Sequence, residues 1–127
     1  MGFVFRGIYR NGFGEGAFFV SKKEYSTQFK KLLGAEPYAG TFNIKVKEKD
    51  FGIISGLLKS GMRIHGFLEN GNEFGGAMGL PARIGKLRCA LILPLKTRHS
   101  SVVELISGIE LRKALGIRPG ARVEVTL

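Results

Sequence analysis

Apolar and polar residues alternate along much of the chain, and this alternation predicts β-strands. Residues 41–47 give the clearest case, because Phe42, Ile44 and Val46 fall on one face while polar side chains occupy the positions between them. Residues 121–127 alternate in the same way and predict a final strand. Each of these segments is therefore expected to bury one face and to leave the other polar.

Other segments predict strands through their branched and aromatic side chains. Residues 3–9 are expected to form a first strand, which resumes at residues 18–20 after a glycine-rich turn. A mostly apolar run, residues 86–93, predicts a buried strand that ends at Pro94, and residues 102–106 predict another. Strands therefore account for most of the predicted regular structure.

One short segment carries a strong hairpin signal. Asn70-Gly71 separates two strand-like segments, residues 63–69 and 73–78. Asparagine followed by glycine is typical of a two-residue turn, because both positions need a positive φ. We therefore expect these two segments to pair as a β-hairpin.

Two segments predict short helices. Ser21, followed three residues later by a glutamate, resembles a capping box, and the helix of about three turns that it opens should end at Gly34. A second capping box at Ser107 predicts a short helix over residues 109–115. Residues 47–61 are less regular and are expected to form a loop with a short turn.

The chain is therefore expected to form one mainly β domain, residues 1–127, with two short helices. Many closely spaced short strands favour a small closed barrel over an open sheet. The single cysteine, Cys89, cannot close an internal disulfide, so a reducing compartment is expected. No apolar run approaches the roughly 20 residues that span a bilayer, so we expect a cytoplasmic protein without membrane attachment.

The net charge restricts the class of partner but does not identify it. The chain has 20 Lys and Arg residues against 10 Asp and Glu residues, which gives a formal net charge of +10. Such a field attracts polyanions, from nucleic acids to nucleoside triphosphates. No helix-turn-helix, zinc or aromatic RNA-binding pattern accompanies the charge, so no nucleic-acid partner is expected.

Glycine is abundant, at 19 of 127 residues, and three glycines alternate in Gly12-Phe13-Gly14-Glu15-Gly16. The segment matches neither a Walker loop nor a dinucleotide fingerprint. It is compatible with a bulged, glycine-rich hairpin. The residues alone favour this hairpin over the alternative, which is a loop whose backbone amides approach phosphate groups without obstruction from side chains.

Thr41 and Asn43 lie two residues apart on the polar face of a predicted strand, so their side-chain oxygens point the same way. Two neutral oxygens can help to hold a hard cation such as Mg²⁺ when a nucleotide brings the negative charge. The alternative is that both side chains are simply solvated. The spacing alone favours solvated side chains over a cation site.

Four segments, taken in order, resemble the CTP-dependent riboflavin kinases of archaea. They carry short motifs at similar spacing and together extend over nearly the whole chain. The matching stretches are residues 12–16, residues 33–43 (LGAEPYAGTFN), residues 94–101 (PLKTRHSS) and residues 110–112 (ELR).

The resemblance implies a fold and a reaction. The fold is a small six-stranded barrel of the cradle-loop (RIFT-type) class. The reaction transfers the γ-phosphoryl group of CTP to the 5'-hydroxyl of riboflavin and yields FMN and CDP. The expected partners are thus riboflavin or FMN and CTP or CDP, with Mg²⁺ as the metal, and a monomer is expected.

The resemblance also implies a role for individual residues of the chain. Thr41 and Asn43 would bind Mg²⁺, and Thr97 and Glu104 would contact the flavin. The cytidine nucleotide would be held by two groups of residues. These are Gly12, Phe13, Gly14, Glu15, Gly16 and Ala17 in the first group and Ile109, Glu110, Leu111 and Arg112 in the second.

A proton acceptor is needed for the attacking hydroxyl. Glu104 is the first choice as the catalytic base, and His99 is the second. Two rival functions are a barrel-type DNA-binding regulator and a flavin carrier without transferase activity. Assays of salt-dependent DNA binding and of FMN formation distinguish these functions.

Overall fold

The computed structural model describes residues 2–12, 14–96 and 101–127. Within these ranges the chain forms strands and helices in a mixed order. They are β1 (Val4–Arg10), α1 (Gly16–Ser21), α2 (Lys23–Leu33), β2 (Phe42–Lys45), α3 (Glu48–Leu58), β3 (Met62–Ile64), β4 (Phe67–Glu69), β5 (Asn72–Phe74), β6 (Ala77–Ile84), β7 (Leu87–Pro94), β8 (Val102–Ile106), α4 (Leu111–Leu115) and β9 (Arg122–Thr126).

Six antiparallel strands close into a barrel, as predicted. Their order is β6-β7-β8-β2-β1-β9, and β9 returns to β6 through the pairing of Arg83 with Thr126. Strand β3 pairs with β6 and extends the sheet beyond the barrel. Strands β4 and β5 form a separate two-stranded sheet.

The barrel interior is filled by the inward faces of the strands. Ile44, Leu91, Val103, Leu105 and Val125 are completely buried there. Helices α3 and α4 contribute further side chains to the same core. The alternation predicted for residues 41–47 is thus confirmed, since all three apolar side chains of that face belong to this cluster.

A second apolar cluster covers part of the outer surface of the barrel. Tyr25 and Phe29 of α2 pack there with outward-facing side chains of the sheet, among them Ala90 and Ile92 of β7. Strand β7 is therefore buried on both faces, which explains its continuous apolar sequence. Cys89 faces the interior, and burial raises the pKa of its thiol to about 12.

Two local predictions were wrong, and the described chain contains four helices instead of the two that were expected. Residues 18–20 lie in helix α1 and do not resume the first strand. Residues 48–58, expected as a loop, form helix α3. In α1 three apolar residues in a row fit a strand and a helix equally well, so periodicity could not distinguish them.

The predicted hairpin is confirmed with finer boundaries. Asn70 and Gly71 have φ values of 51° and 78° and join β4 to β5. The predicted strand 63–69 is divided between β3 and β4, and the predicted strand 73–78 is divided between β5 and β6. The hairpin is consequently a separate projection from the barrel sheet.

The predicted helix ends are confirmed at the C-termini but not at the N-termini. Gly34 and Gly116 adopt left-handed conformations that end α2 and α4. Ser21 does not cap α2, because its hydroxyl donates a hydrogen bond to the Phe18 carbonyl. Ser107 accepts a 3.4 Å hydrogen bond from the Ile109 amide, and α4 begins only at Leu111.

Among the described residues, no helix has the length and apolar character needed to cross a membrane.

Candidate active site

The candidate site begins with two neighbouring strands of the barrel. Asn43 in β2 lies directly opposite Glu104 in β8. Because side chains alternate along a strand, both residues occupy the face opposite to Phe42 and Leu105, which fill the barrel interior. A polar pair is thereby placed on the outer face of the sheet.

Glu104 has an environment that favours its neutral form. Burial raises the pKa of this carboxyl group, because a charge is less well solvated away from water. A hydrogen bond from the Thr41 hydroxyl to the Glu104 carboxylate acts in the opposite direction. The result is a carboxylate that binds a proton more readily than an ordinary glutamate.

Asn43 carries a buried oxygen without a partner. The residue is only 9% exposed, and no described residue donates a hydrogen bond to its Oδ1 atom. A buried acceptor in this state costs free energy unless a ligand satisfies it. A cation fits such an atom, and the Thr41 side chain supplies a second neutral oxygen nearby. The described residues contain no group of three or more His, Cys, Asp or Glu side chains that could hold a metal without help from a ligand.

The glycine-rich segment lies directly against these side chains. A Cβ atom on Gly12 would stand 2.4 Å from Asn43 Nδ2, and one on Gly16 would stand 2.4 Å from Thr41 Oγ1. Gly14 has a φ of 82°, which favours glycine. The bulged-hairpin interpretation is wrong, because helix α1 begins at Gly16.

A single cavity of about 1290 Å³ joins these elements. Most of the described residues that the sequence analysis assigned to the site line it. They are Gly12, Gly14, Glu15, Gly16, Ala17, Thr41, Asn43 and Glu104. The glycine segment, the two neutral oxygens and the carboxylate therefore share one space.

The other half of the cavity is apolar, and the sequence analysis did not identify it. Phe19, Tyr25, Phe67 and Phe74 line it, and the rings of Phe67 and Phe74 stack with centroids 4.7 Å apart. Phe19 and Tyr25 come from helices α1 and α2, whereas Phe67 and Phe74 come from the hairpin strands much later in the chain. The only sequence signal was the hairpin, whose position over the cavity depends on tertiary contacts.

The second predicted nucleotide-binding group lies elsewhere. Ile109, Glu110, Leu111 and Arg112 are not among the residues that line the cavity. The Leu111 side chain packs into the barrel core, whereas Arg112 is exposed. The structure thus brings together the described residues of the first group but not the second group.

Three residues of the predicted site lie outside the described part of the chain. They are Phe13 in the glycine segment, Thr97 among the flavin contacts, and His99 as the second choice of base. Lys96, which immediately precedes Thr97, lines the cavity.

Known proteins resemble this chain over almost its full length. The family model CTP-dep_RFKase, described as "Domain of unknown function DUF120", matches residues 10–127. A "Riboflavin kinase" of Ignicoccus hospitalis is 39% identical over 117 residues, which cover 91% of this chain and 65% of that protein. A "Riboflavin kinase" of Thermoplasma acidophilum is 36% identical over 123 residues, which cover 96% of this chain and 56% of that protein.

A third relative, a "Riboflavin kinase" of Methanoculleus marisnigri, is 35% identical over 128 residues, which cover 99% of this chain and 58% of that protein. The chain thus spans between 56% and 65% of the length of these three curated relatives. The family model matches far more than half of the residues and includes every residue assigned to the candidate site. On this evidence the chain belongs to the CTP-dep_RFKase family.

Proposed function

We propose that this chain is a riboflavin kinase that uses CTP as the phosphoryl donor and forms FMN and CDP. The observation that carries the proposal is the shared cavity, in which a glycine-rich segment, two neutral oxygens and a partly buried carboxylate lie beside an aromatic surface. The names of the family model and of the relatives support the same activity.

The size of the cavity suits a reaction between two substrates. A site for one small molecule typically occupies about 300 to 1000 Å³. At about 1290 Å³, this cavity exceeds that range. It therefore has room for a nucleotide and a flavin side by side, as direct transfer between them requires.

The apolar half suits the ring system of riboflavin. That ring system is flat and aromatic, and aromatic side chains bind such surfaces through stacked or edge contacts. Phe67 and Phe74 lie within 9° of parallel, and the Tyr25 ring meets Phe67 edge-on. The flavin ring would lie against Phe67 and Phe74, with its ribityl chain directed toward Glu104.

The polar half suits the triphosphate. The glycine segment has no side chains at Gly12, Gly14 and Gly16, so its backbone amides can approach phosphate oxygens. Thr41 and Asn43 would hold Mg²⁺, and the free Oδ1 of Asn43 supports this role. The bound cation would neutralise phosphate charge.

Glu104 would accept the proton of the 5'-hydroxyl. The hydroxyl oxygen forms a bond to the γ-phosphorus, the bond from that phosphorus to the β–γ bridging oxygen breaks, and CDP leaves with the electron pair. The raised pKa of Glu104 strengthens it as a base, provided that it is ionised at the start. Its position opposite Asn43 would keep the proton acceptor beside the metal-binding side chains.

Two further contacts remain predictions within this proposal. Thr97 would bind the flavin together with Glu104. Ile109, Glu110, Leu111 and Arg112 would contact the cytidine part of the nucleotide, with the exposed guanidinium of Arg112 available for phosphate or base.

The test is a direct assay with the full chain, riboflavin, Mg²⁺ and one nucleoside triphosphate at a time. FMN is separated from riboflavin by chromatography, and CDP is measured in the same samples. We expect equal amounts of FMN and CDP with CTP, and far less FMN with ATP, GTP or UTP. If no triphosphate yields FMN although riboflavin binds, the chain is a flavin carrier and the proposal is wrong.

A further inference from the structure

The β4–β5 hairpin forms one wall of the apolar half of the cavity, yet it has little support of its own. Each strand has three residues, and among the described strands they pair only with each other. An isolated two-stranded hairpin is at best marginally stable in water. Contacts with the rest of the molecule must therefore hold this wall in place.

The first contact holds the start of the hairpin. Gln28 of α2 accepts a 2.7 Å hydrogen bond from the His65 amide through Oε1 and donates a 3.0 Å hydrogen bond to the His65 carbonyl through Nε2. One side chain thus binds both backbone groups of His65, which lies just before β4. This arrangement fixes where the first strand leaves the barrel sheet.

The second contact holds the other end of the hairpin. The Tyr25 hydroxyl donates a 2.6 Å hydrogen bond to the carbonyl of Gly75, which directly follows β5. The same ring contacts Phe67 at 4.9 Å between centroids. Tyr25 therefore fixes both a backbone atom and an aromatic ring of this wall.

The third contact lies near the tip. Lys22 forms an ion pair with Glu69, the last residue of β4, and the two side chains are 21% and 36% exposed. The Lys22 ammonium group also lies 4.8 Å from the centroid of the Phe18 ring and 5.3 Å from that of Phe74. Partial burial and the aromatic neighbours make this pair stronger than an ordinary surface pair.

We propose that Lys22, Tyr25 and Gln28 are positioning residues that hold the β4–β5 hairpin against the flavin, so that riboflavin affinity depends on them. The three residues recur every third position, and the contacts reach 37 to 50 residues along the chain. None of them is assigned to phosphoryl transfer. This inference rests on the proposed function, because it takes riboflavin as the ligand of this half of the cavity.

The main test removes the charges of the ion pair and keeps the shape of the side chains. The variants are Lys22→Met, Glu69→Gln and the double variant. Riboflavin affinity is measured from the quenching of flavin fluorescence with CDP present, and KM and kcat are measured in the FMN assay. We expect each single variant to weaken riboflavin binding by about three- to fivefold.

The KM for riboflavin should rise by the same factor, while kcat at saturating riboflavin should change by less than about twofold. The double variant should bind riboflavin no more weakly than the single variant with the lower affinity, because the two charges act as one pair. A loss confined to kcat, or a double variant in which the two effects multiply, would contradict the proposed positioning role.

A matched control is the exposed ion pair between Arg6 and Glu124, whose side chains are 76% and 53% exposed. These residues do not line the cavity. Arg6→Met and Glu124→Gln should leave riboflavin binding unchanged. If they weaken it as much as the Lys22 and Glu69 variants do, the effect is one of net charge and the inference is wrong.

Tyr25→Phe provides an independent test, because it removes only the hydroxyl that binds the Gly75 carbonyl. We expect weaker riboflavin binding, an unchanged KM for CTP, and a folded protein by circular dichroism.

The wild-type protein separates failure of the proposed function from failure of the positioning role. If it forms no FMN, the proposed function fails. If it forms FMN but none of these variants affects riboflavin binding, only the positioning role fails.

Discussion

Glu104 lies at a position where stability and catalysis make opposite demands. Burial raises the pKa of its carboxyl group, so the folded state prefers the protonated form. The stabilisation from that proton is complete at low pH and disappears as the pH rises through the raised pKa. The ionised carboxylate that the proposed reaction needs is therefore a destabilising group in the absence of ligands.

Replacing Glu104 by glutamine should separate these two effects. We expect Glu104→Gln to lose FMN formation by about a hundredfold, because the amide cannot accept the proton. Without ligands, the variant should have a higher free energy of unfolding than the wild type near pH 8. This difference in the free energy of unfolding should shrink as the pH falls toward 4.5, the ordinary pKa of a glutamate.

Denaturant titrations at several pH values measure the stability difference, and the FMN assay measures the loss of activity. An unchanged turnover would remove Glu104 from the role of base. A variant that is less stable than the wild type near pH 8 would instead contradict the inferred cost of ionisation.

Gly16 tests how closely the glycine segment must approach the strand. A Cβ atom at this position would lie 2.4 Å from Thr41 Oγ1 and 3.0 Å from the Thr41 amide nitrogen. We expect Gly16→Ala to displace Thr41 and to lower kcat by roughly ten- to hundredfold, since small misplacements are costly in catalysis. The Mg²⁺ concentration for half-maximal activity should rise as well. Kinetics over a range of Mg²⁺ concentrations measure both effects.

Gly52→Ala is the control for that experiment. A Cβ atom on Gly52 would meet no atom within 4 Å, and the residue lies in α3 outside the cavity. If both substitutions lowered activity equally, the close approach to Thr41 would not be the cause.

Helix α3 shows why part of the fold could not be predicted from the sequence. Ile54 and Leu58 are buried at helical spacing. Ile53 and Leu57 beside them are apolar but partly exposed, so the sequence shows no clear helical alternation of apolar and polar residues. Gly52 and Gly56 lower the helix propensity further. Packing on the barrel decides the outcome, and a single sequence does not show that packing.

Strands β1, β2 and β9 were easier to predict, because one face of each is buried and the alternation follows from that. Strand β7 is buried on both faces, and its continuous apolar run predicted it. Residue type and spacing singled out the glycine segment and the pair Thr41 and Asn43, but only the family resemblance assigned them to a site. The aromatic half of the site was missed, because its rings come from α1, α2 and the hairpin and meet only in the folded chain. No local sequence pattern predicts the contact between Tyr25 and Gly75, which are 50 residues apart.

Helix α3 also allows a prediction about stability. Gly52→Ala should raise the free energy of unfolding by about 0.5 to 1 kcal/mol, because alanine favours the helix and meets open space. Gly7→Ala in β1 should have the opposite effect, since its Cβ atom would lie 2.6 Å from the Lys45 carbonyl oxygen, a backbone atom of the neighbouring strand. Chemical denaturation of both variants measures the contrast. A destabilising Gly52→Ala would show that α3 needs glycine for a reason other than space.

At the scale of the whole molecule, the net charge of +10 should act on one of the two proposed substrates and not on the other. CTP is a polyanion and riboflavin is neutral, so dissolved salt screens only the attraction for the nucleotide. We expect the KM for CTP to rise several-fold between about 0.05 and 0.3 M salt. The dissociation constant for riboflavin should change by less than about twofold over the same range. Steady-state kinetics and flavin fluorescence give the two constants, and equal responses would contradict this electrostatic account.

The closure of the barrel is uneven around its circumference. Strands β6 and β7 pair at eight positions, whereas β6 and β9 pair at one, Arg83 with Thr126. Strand β9 is held on its other side by five pairings with β1. We therefore expect local opening of the barrel to begin between β6 and β9, with β9 remaining paired to β1. Strands β2 and β8, which carry Asn43 and Glu104, lie away from the β6–β9 pairing, so this opening would leave the proposed metal ligand and the proposed base in register.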